Sequence, residues 1–191
     1  MFDGPFYCKF VILAAIVKKG SHGTSETRAA TICTGGFIVG SGRAGTGVYF
    51  WAESPYWTEL AAGWYRFALS RRQYDKEARR AGVIIFVEIT VDETEVFYCE
   101  NAVVASLIAS LFRRMGLNRE ASDEDMARLW DGFIKEMERK QGVTYKVLEK
   151  RLAPPPREFC DYPIQRLDAP FAYMVRFPEC VHVFRTERIK R

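Results

Sequence analysis

The first strong pattern in the chain is an unbroken apolar run, Phe10 to Val17, closed by Lys18-Lys19-Gly20. It is far shorter than the roughly 20 residues needed to cross a bilayer, and lysines stand where a leader's small cleavage-site residues belong. It predicts an interior strand and no targeting segment, in a protein that is cytoplasmic or delivered to the cytosol of a target cell. The polar turn Ser21-His22-Gly23-Thr24 follows, with Ser or Thr placed to cap a helix from Glu26 to Cys33. Gly35, Gly36, Gly40, Gly42, Gly45 and Gly47 then mark irregular backbone that must pass close to something. Val48–Trp51 reads as a short strand, and Pro55 as the start of a helix carrying Trp57, Leu60, Ala61 and Trp64. The β-branched run Val83–Val91 predicts a central strand.

The period then changes. Val103, Val104, Leu107, Ile108, Leu111, Phe112 and Met115 keep helical spacing. A second amphipathic helix starts at Ser122, with Met126, Leu129, Trp130, Phe133, Ile134 and Met137 on its buried side. Pro154-Pro155-Pro156 breaks the chain, and residues 171–189 look extended again. Strands at both ends around a helical middle predict a compact α+β core with a helical insertion at about 101–150.

Composition narrows the picture modestly. A chain of 191 residues, 48% hydrophobic and 27% charged, is a single globular domain rather than a disordered or fibrous chain. The net charge of +4 permits an anionic partner without requiring one. Cys8, Cys33, Cys99, Cys160 and Cys180 are scattered and include no CxxC pair, which predicts reduced thiols and no bound metal.

Candidate chemistry centres on two motifs. A histidine in a polar turn can orient a ligand hydroxyl, and Gly23 beside it lets backbone N–H and C=O approach a planar amide. A P-loop is absent, and Gly40-Ser41-Gly42-Arg43-Ala44-Gly45 only loosely imitates a dinucleotide fingerprint, since it leads into a short strand.

The order His22-Gly23-Thr24, then Ile32 to Phe37, then Gly45-Thr46-Gly47-Val48-Tyr49-Phe50 resembles the ADP-ribosyltransferase superfamily, in its His-Tyr-Glu branch of poly(ADP-ribose) polymerases and diphtheria toxin. Ala61-Ala62-Gly63-Trp64 resembles the Ala-Ala-Gly-Tyr of the toxins, and Val83–Ile89 a core strand of the polymerases. Glu179, ahead of Cys180–Phe184, resembles the branch's late glutamate; Glu88, Glu100 and the Glu93-Thr94-Glu95 segment are its rivals. The likeness covers about residues 20–92 and, more thinly, 171–190.

The resemblance implies a split antiparallel sheet gripping NAD⁺ as substrate, with no metal. Tyr49 with Trp64 or Tyr65 would sandwich the cationic nicotinamide. Gly23 would hold its carboxamide, His22 the adenosine ribose, and Thr24 the turn. Arg43 would reach the diphosphate, and Glu179 would stabilise the oxocarbenium-like transition state. The activity implied is transfer of a single ADP-ribose to a protein or nucleic-acid acceptor, as in bacterial toxins and anti-phage effectors. A non-catalytic NAD⁺ or ADP-ribose binding module and an RNA 2′-phosphotransferase are the alternatives. The basic outer faces of the inserted helices, with Arg113, Arg114, Arg128, Lys135, Arg139 and Lys140, are candidates to dock the acceptor or a neutralising antitoxin.

Overall fold

A computed structural model describes residues 15–118, 120–164 and 167–190. Most of the predicted apolar strand 10–17 lies outside those residues. The strand that follows, β1, spans Ala15–Ser25. Ser21, His22, Gly23 and Thr24 therefore lie in strand rather than in a turn. Their backbone is held because β1 pairs with β4 (Gly82–Asp92) along its whole length, from Ala15↔Asp92 to Ser25↔Gly82. Helix α1 (Glu26–Gly35) then starts at once, with the Ser25 hydroxyl accepting from Arg28 N–H as its cap.

The glycine-rich segment folds as a small hairpin, β2 (Gly40–Gly42) against β3 (Gly45–Ala52), with Gly45 at φ +115° in its turn. Helix α2 (Trp57–Ser70) leads back to β4, a three-residue 3₁₀ turn carries the chain into β5 (Val96–Tyr98), and helices α3 (Ala102–Arg114) and α4 (Asp123–Gln141) follow. The inserted region is not helical throughout. It ends in a strand, β6 (Val147–Arg151), which pairs in parallel with β5. Strands β7 (Phe171–Val175) and β8 (Val181–Arg188) complete an eight-stranded, mostly antiparallel sheet. Seven strands run in the order β5-β6-β7-β3-β1-β4-β8, and β2 flanks β3.

This order forces the sheet to curl. β4 and β5 stand five positions apart, roughly 24 Å in a flat sheet at about 4.8 Å per strand. Only Glu93–Glu95 links them, a reach of about 14 Å at most. The inner face of the curl carries Phe50, Ile85, Val87, Ile89, Val147 and Val175. On the outer face, α2 covers Trp51, Ile84 and Phe86, while α4 packs Trp130, Phe133 and Ile134 against Phe97, Leu148 and Met174.

The insertion buries unequally. On α4 the expected residues Leu129, Trp130, Phe133 and Ile134 are buried, but α3 buries only Val104 and leaves Val103 and Leu107 exposed. Its apolar stripe is wider than the surface available to cover it. None of the helices in the described residues is long and apolar enough to cross a membrane.

Candidate active site

The sheet parts between β1 and β3. The two strands pair at Gly20↔Ala52 and Ser21↔Trp51 and no further. Glu53 N–H donates to the Lys19 carbonyl at 2.9 Å, so at Lys19, and by the two-residue period at Ser21 and Gly23, the backbone groups are directed at β3. A continued ladder would set Gly23 opposite Tyr49. Instead the His22 side chain intervenes, its Nδ1 2.9 Å from the Tyr49 carbonyl oxygen. That oxygen can only accept, so Nδ1 carries the proton and Nε2 is left with a lone pair. Burial pushes the His22 pKa down, against the bond to Tyr49, and the Arg28 charge adds to the downward shift. The ring is therefore a neutral acceptor near pH 7.

Two contacts fix this arrangement from either side of the sheet. On the inner face, Phe37 meets the His22 ring edge-on at 5.7 Å and Phe50 at 5.0 Å. On the outer face, α2 lies directly against Gly23; a β-carbon there would fall 1.8 Å from the Ala61 carbonyl oxygen. The glycine is required by this close approach of helix to strand. Ser21 Oγ donates to the Trp57 carbonyl at 2.8 Å, tying the start of α2 to the same strand. Thr24 is buried.

The other residues expected at the site are dispersed. The Tyr49 ring packs under the β2–β3 turn, its hydroxyl donating to the Gly45 carbonyl at 2.6 Å and accepting from Ala44 N–H at 3.1 Å. Burial raises its pKa well above the usual phenol value. Trp64 stands 42% exposed on α2 with Phe67 as its ring neighbour. Tyr65 is not free to stack on a ligand, because it is buried against Tyr74 and its hydroxyl donates to the Arg80 carbonyl. Arg43 bridges to Asp123 at the start of α4, at 3.1 Å.

No family model and no curated protein matches the chain.

Glu179 stands apart from His22 in the sheet. It lies in the 3₁₀ turn Pro178–Cys180 that precedes β8. β8 is two strands from β1, and its first residue, Val181, is opposite Ile89, whereas His22 is opposite Ile85. Four strand positions separate those levels, about 13 Å at ~3.3 Å each, and Glu179 is two residues further on. Its charged neighbourhood is Lys146 and Glu95. The rivals are also committed: Glu95 caps Asp92 N–H and pairs with Lys146 at 2.7 Å, and Glu100 accepts from Arg151 N–H at 2.9 Å. Glu88 is on β4 opposite Lys19, and Lys19 alternates with His22, so it faces away from the His22 ring.

A carboxylate that does share the inner face with His22 is Glu149. Phe50, in ring contact with His22, pairs with Tyr173, and Tyr173 pairs with Glu149. Lys18, four residues before His22 on the same face of β1, reaches Glu149 at 2.7 Å with its ammonium 5.3 Å from the Tyr98 and Tyr173 rings. Both charged groups are mostly buried. The only local signal for Glu149 is the two-residue period of Val147-Leu148-Glu149, and nothing local announces Lys18 as its partner.

Proposed function

We propose that the chain is an NAD⁺-dependent ADP-ribosyltransferase that moves a single ADP-ribose from NAD⁺ to a protein or nucleic-acid acceptor. The observation that carries this reading is the parting of β1 from β3 at Gly23. It leaves a backbone N–H and C=O side by side, the donor and acceptor that a carboxamide needs. His22 supports it, since an imidazole whose Nδ1 is committed to Tyr49 presents Nε2 to accept a ribose hydroxyl.

Cleavage of the glycosidic bond puts positive charge on the nicotinamide-side ribose, and a nearby carboxylate would stabilise it. Glu149, which shares the inner face with His22 although β6 stands three strands from β1, takes that role in our reading. Lys18 would hold the Glu149 carboxylate in place and would itself offer a cation to a diphosphate. The acceptor nucleophile would then take the sugar as nicotinamide leaves.

A second reading, binding of NAD⁺ or ADP-ribose without turnover, is favoured by one fact: Glu149 already has Lys18 as a partner. Incubating the purified chain with labelled NAD⁺ and cell lysate, then digesting with protease and with nuclease separately, tests both. Label retained on a macromolecule supports transfer and names its acceptor class. NAD⁺ binding with no label and no released nicotinamide supports the binding module, and absence of binding overturns both.

A further inference from the structure

On the face of the sheet opposite the His22 ring, a crevice of about 550 Å³ opens between the insertion and the sheet edge. Its walls are the first turns of α3, with Val104, Ala105 and Ile108, the Trp130 side chain of α4, and Lys150 and Arg151 at the end of β6. Lys150 alternates with Glu149 along β6, so its side chain leaves the sheet on the outer side.

Lys150 is the unusual member. Its ammonium sits 3.9 Å from the centre of the Trp130 ring, and among the described residues it has neither a carboxylate within ion-pair distance nor a hydrogen-bond acceptor. The two charged neighbours in the crevice are committed to each other. Glu100 accepts from Arg151 N–H at 2.9 Å, and the Arg151 guanidinium lies 4.0 Å from Glu100 and 3.0 Å from Asp168. The Cys99 thiol is turned to the Phe97 carbonyl. The Lys150 side chain is half-buried, and a ring face alone only partly compensates an ammonium drawn partway out of water. Burial also pushes the Lys150 pKa below the usual lysine value.

We infer that this crevice binds a small organic acid, its oxyanion head on Lys150 and its apolar body along Val104, Ala105 and Ile108. The volume is in the range of small-molecule sites, about 300–1,000 Å³. A cation without a carboxylate partner favours an oxyanion head, and the adjoining aliphatic wall favours an organic acid over a bare inorganic ion. The N-terminus of α3, capped by the Asn101 side chain at Val104 N–H, adds a favourable potential for the anion without defining the site. This inference is independent of the reading of the His22 site.

Calorimetric titration with hexanoate, hexyl phosphate and neutral hexanol tests it. We expect at least one of the two acids to bind the wild-type chain and hexanol to bind about tenfold more weakly or not at all, with the better acid telling a carboxylate ligand from a phosphate ester. Lys150→Met should weaken that acid by about tenfold or more, and Lys150→Arg, which keeps the charge, by about threefold or less. Should Lys150→Met fail to fold, the indole N–H signal of Trp130 in the wild-type chain, assigned with Trp130→Phe, must shift with the acid and not with hexanol. Absence of binding by both acids, equal binding of hexanol, or full retention in a folded Lys150→Met would each overturn the inference.

Discussion

His22 Nδ1 donates to the Tyr49 carbonyl at 2.9 Å, where a ladder hydrogen bond from Gly23 would otherwise fall. One side chain thus ends the pairing of two central strands while satisfying the acceptor it exposes. Removing the imidazole in His22→Ala should leave that carbonyl without its partner and destabilise the fold by about 1–3 kcal/mol. Denaturant titration reads this directly. NAD⁺ affinity, if the proposed function holds, should fall in the same variant.

Burial of the same ring gives a pH signature. Burial depresses the His22 pKa in the folded chain below its ordinary 6.5. Between the folded and unfolded values the unfolded chain binds the extra proton, so this group's contribution to stability falls as pH drops below 6.5 and is constant above it. Melting curves of wild type and His22→Gln should therefore converge on acidification. Parallel curves would show that His22 is charged in the folded state.

Gly23→Ala is predicted to be the most damaging single-atom change at the site. The added methyl would lie 1.8 Å from the Ala61 carbonyl oxygen and 2.7 Å from its carbon. Backbone atoms of α2 cannot rotate away as a side chain can, so strand and helix must separate. A loss of about 3 kcal/mol or more is expected in the denaturation midpoint analysis.

Tyr49→Phe keeps the ring and removes a hydroxyl that joins the Gly45 carbonyl to the Ala44 amide. The expected cost is about 1–2 kcal/mol, accompanied by faster amide exchange at Ala44. Unchanged exchange there would mean that the turn is held by Thr46 and Asp131 alone, which meet at 2.7 Å.

Two carboxylates separate the catalytic assignments. If transfer occurs, Glu179→Gln should leave its rate within about twofold, while Glu149→Gln should lower kcat by about 10²–10³-fold, the usual effect of losing one electrostatic partner of the transition state. A reversed pattern would restore Glu179 and require the turn before β8 to move. Circular dichroism of Glu149→Gln, whose Lys18 loses its partner, distinguishes lost chemistry from lost folding.

By itself the chain determined the elements whose cause is local. Ser25 and Ser122 cap their helices because a hydroxyl can meet an open amide three residues on. The Val83–Val91 run became a central strand, and the Leu129, Trp130, Phe133, Ile134 spacing became the buried face of α4. The order of His22-Gly23 and Tyr49 was equally legible, and the fold sets these segments side by side.

What depended on partners distant in sequence was decided only in three dimensions. Ser21–Ser25 reads as a turn by composition, yet β4 pairing draws it into strand. The β-strand at 147–151 is hidden behind two helices, and its place between β5 and β7 sets Glu149 on the face that His22 shares. Glu179 has a suggestive sequence context but lies at a different level of the sheet from His22. Register is a long-range property: a carboxylate's distance from a histidine depends on which strands pair and where they part, and no local pattern of residues carries that information.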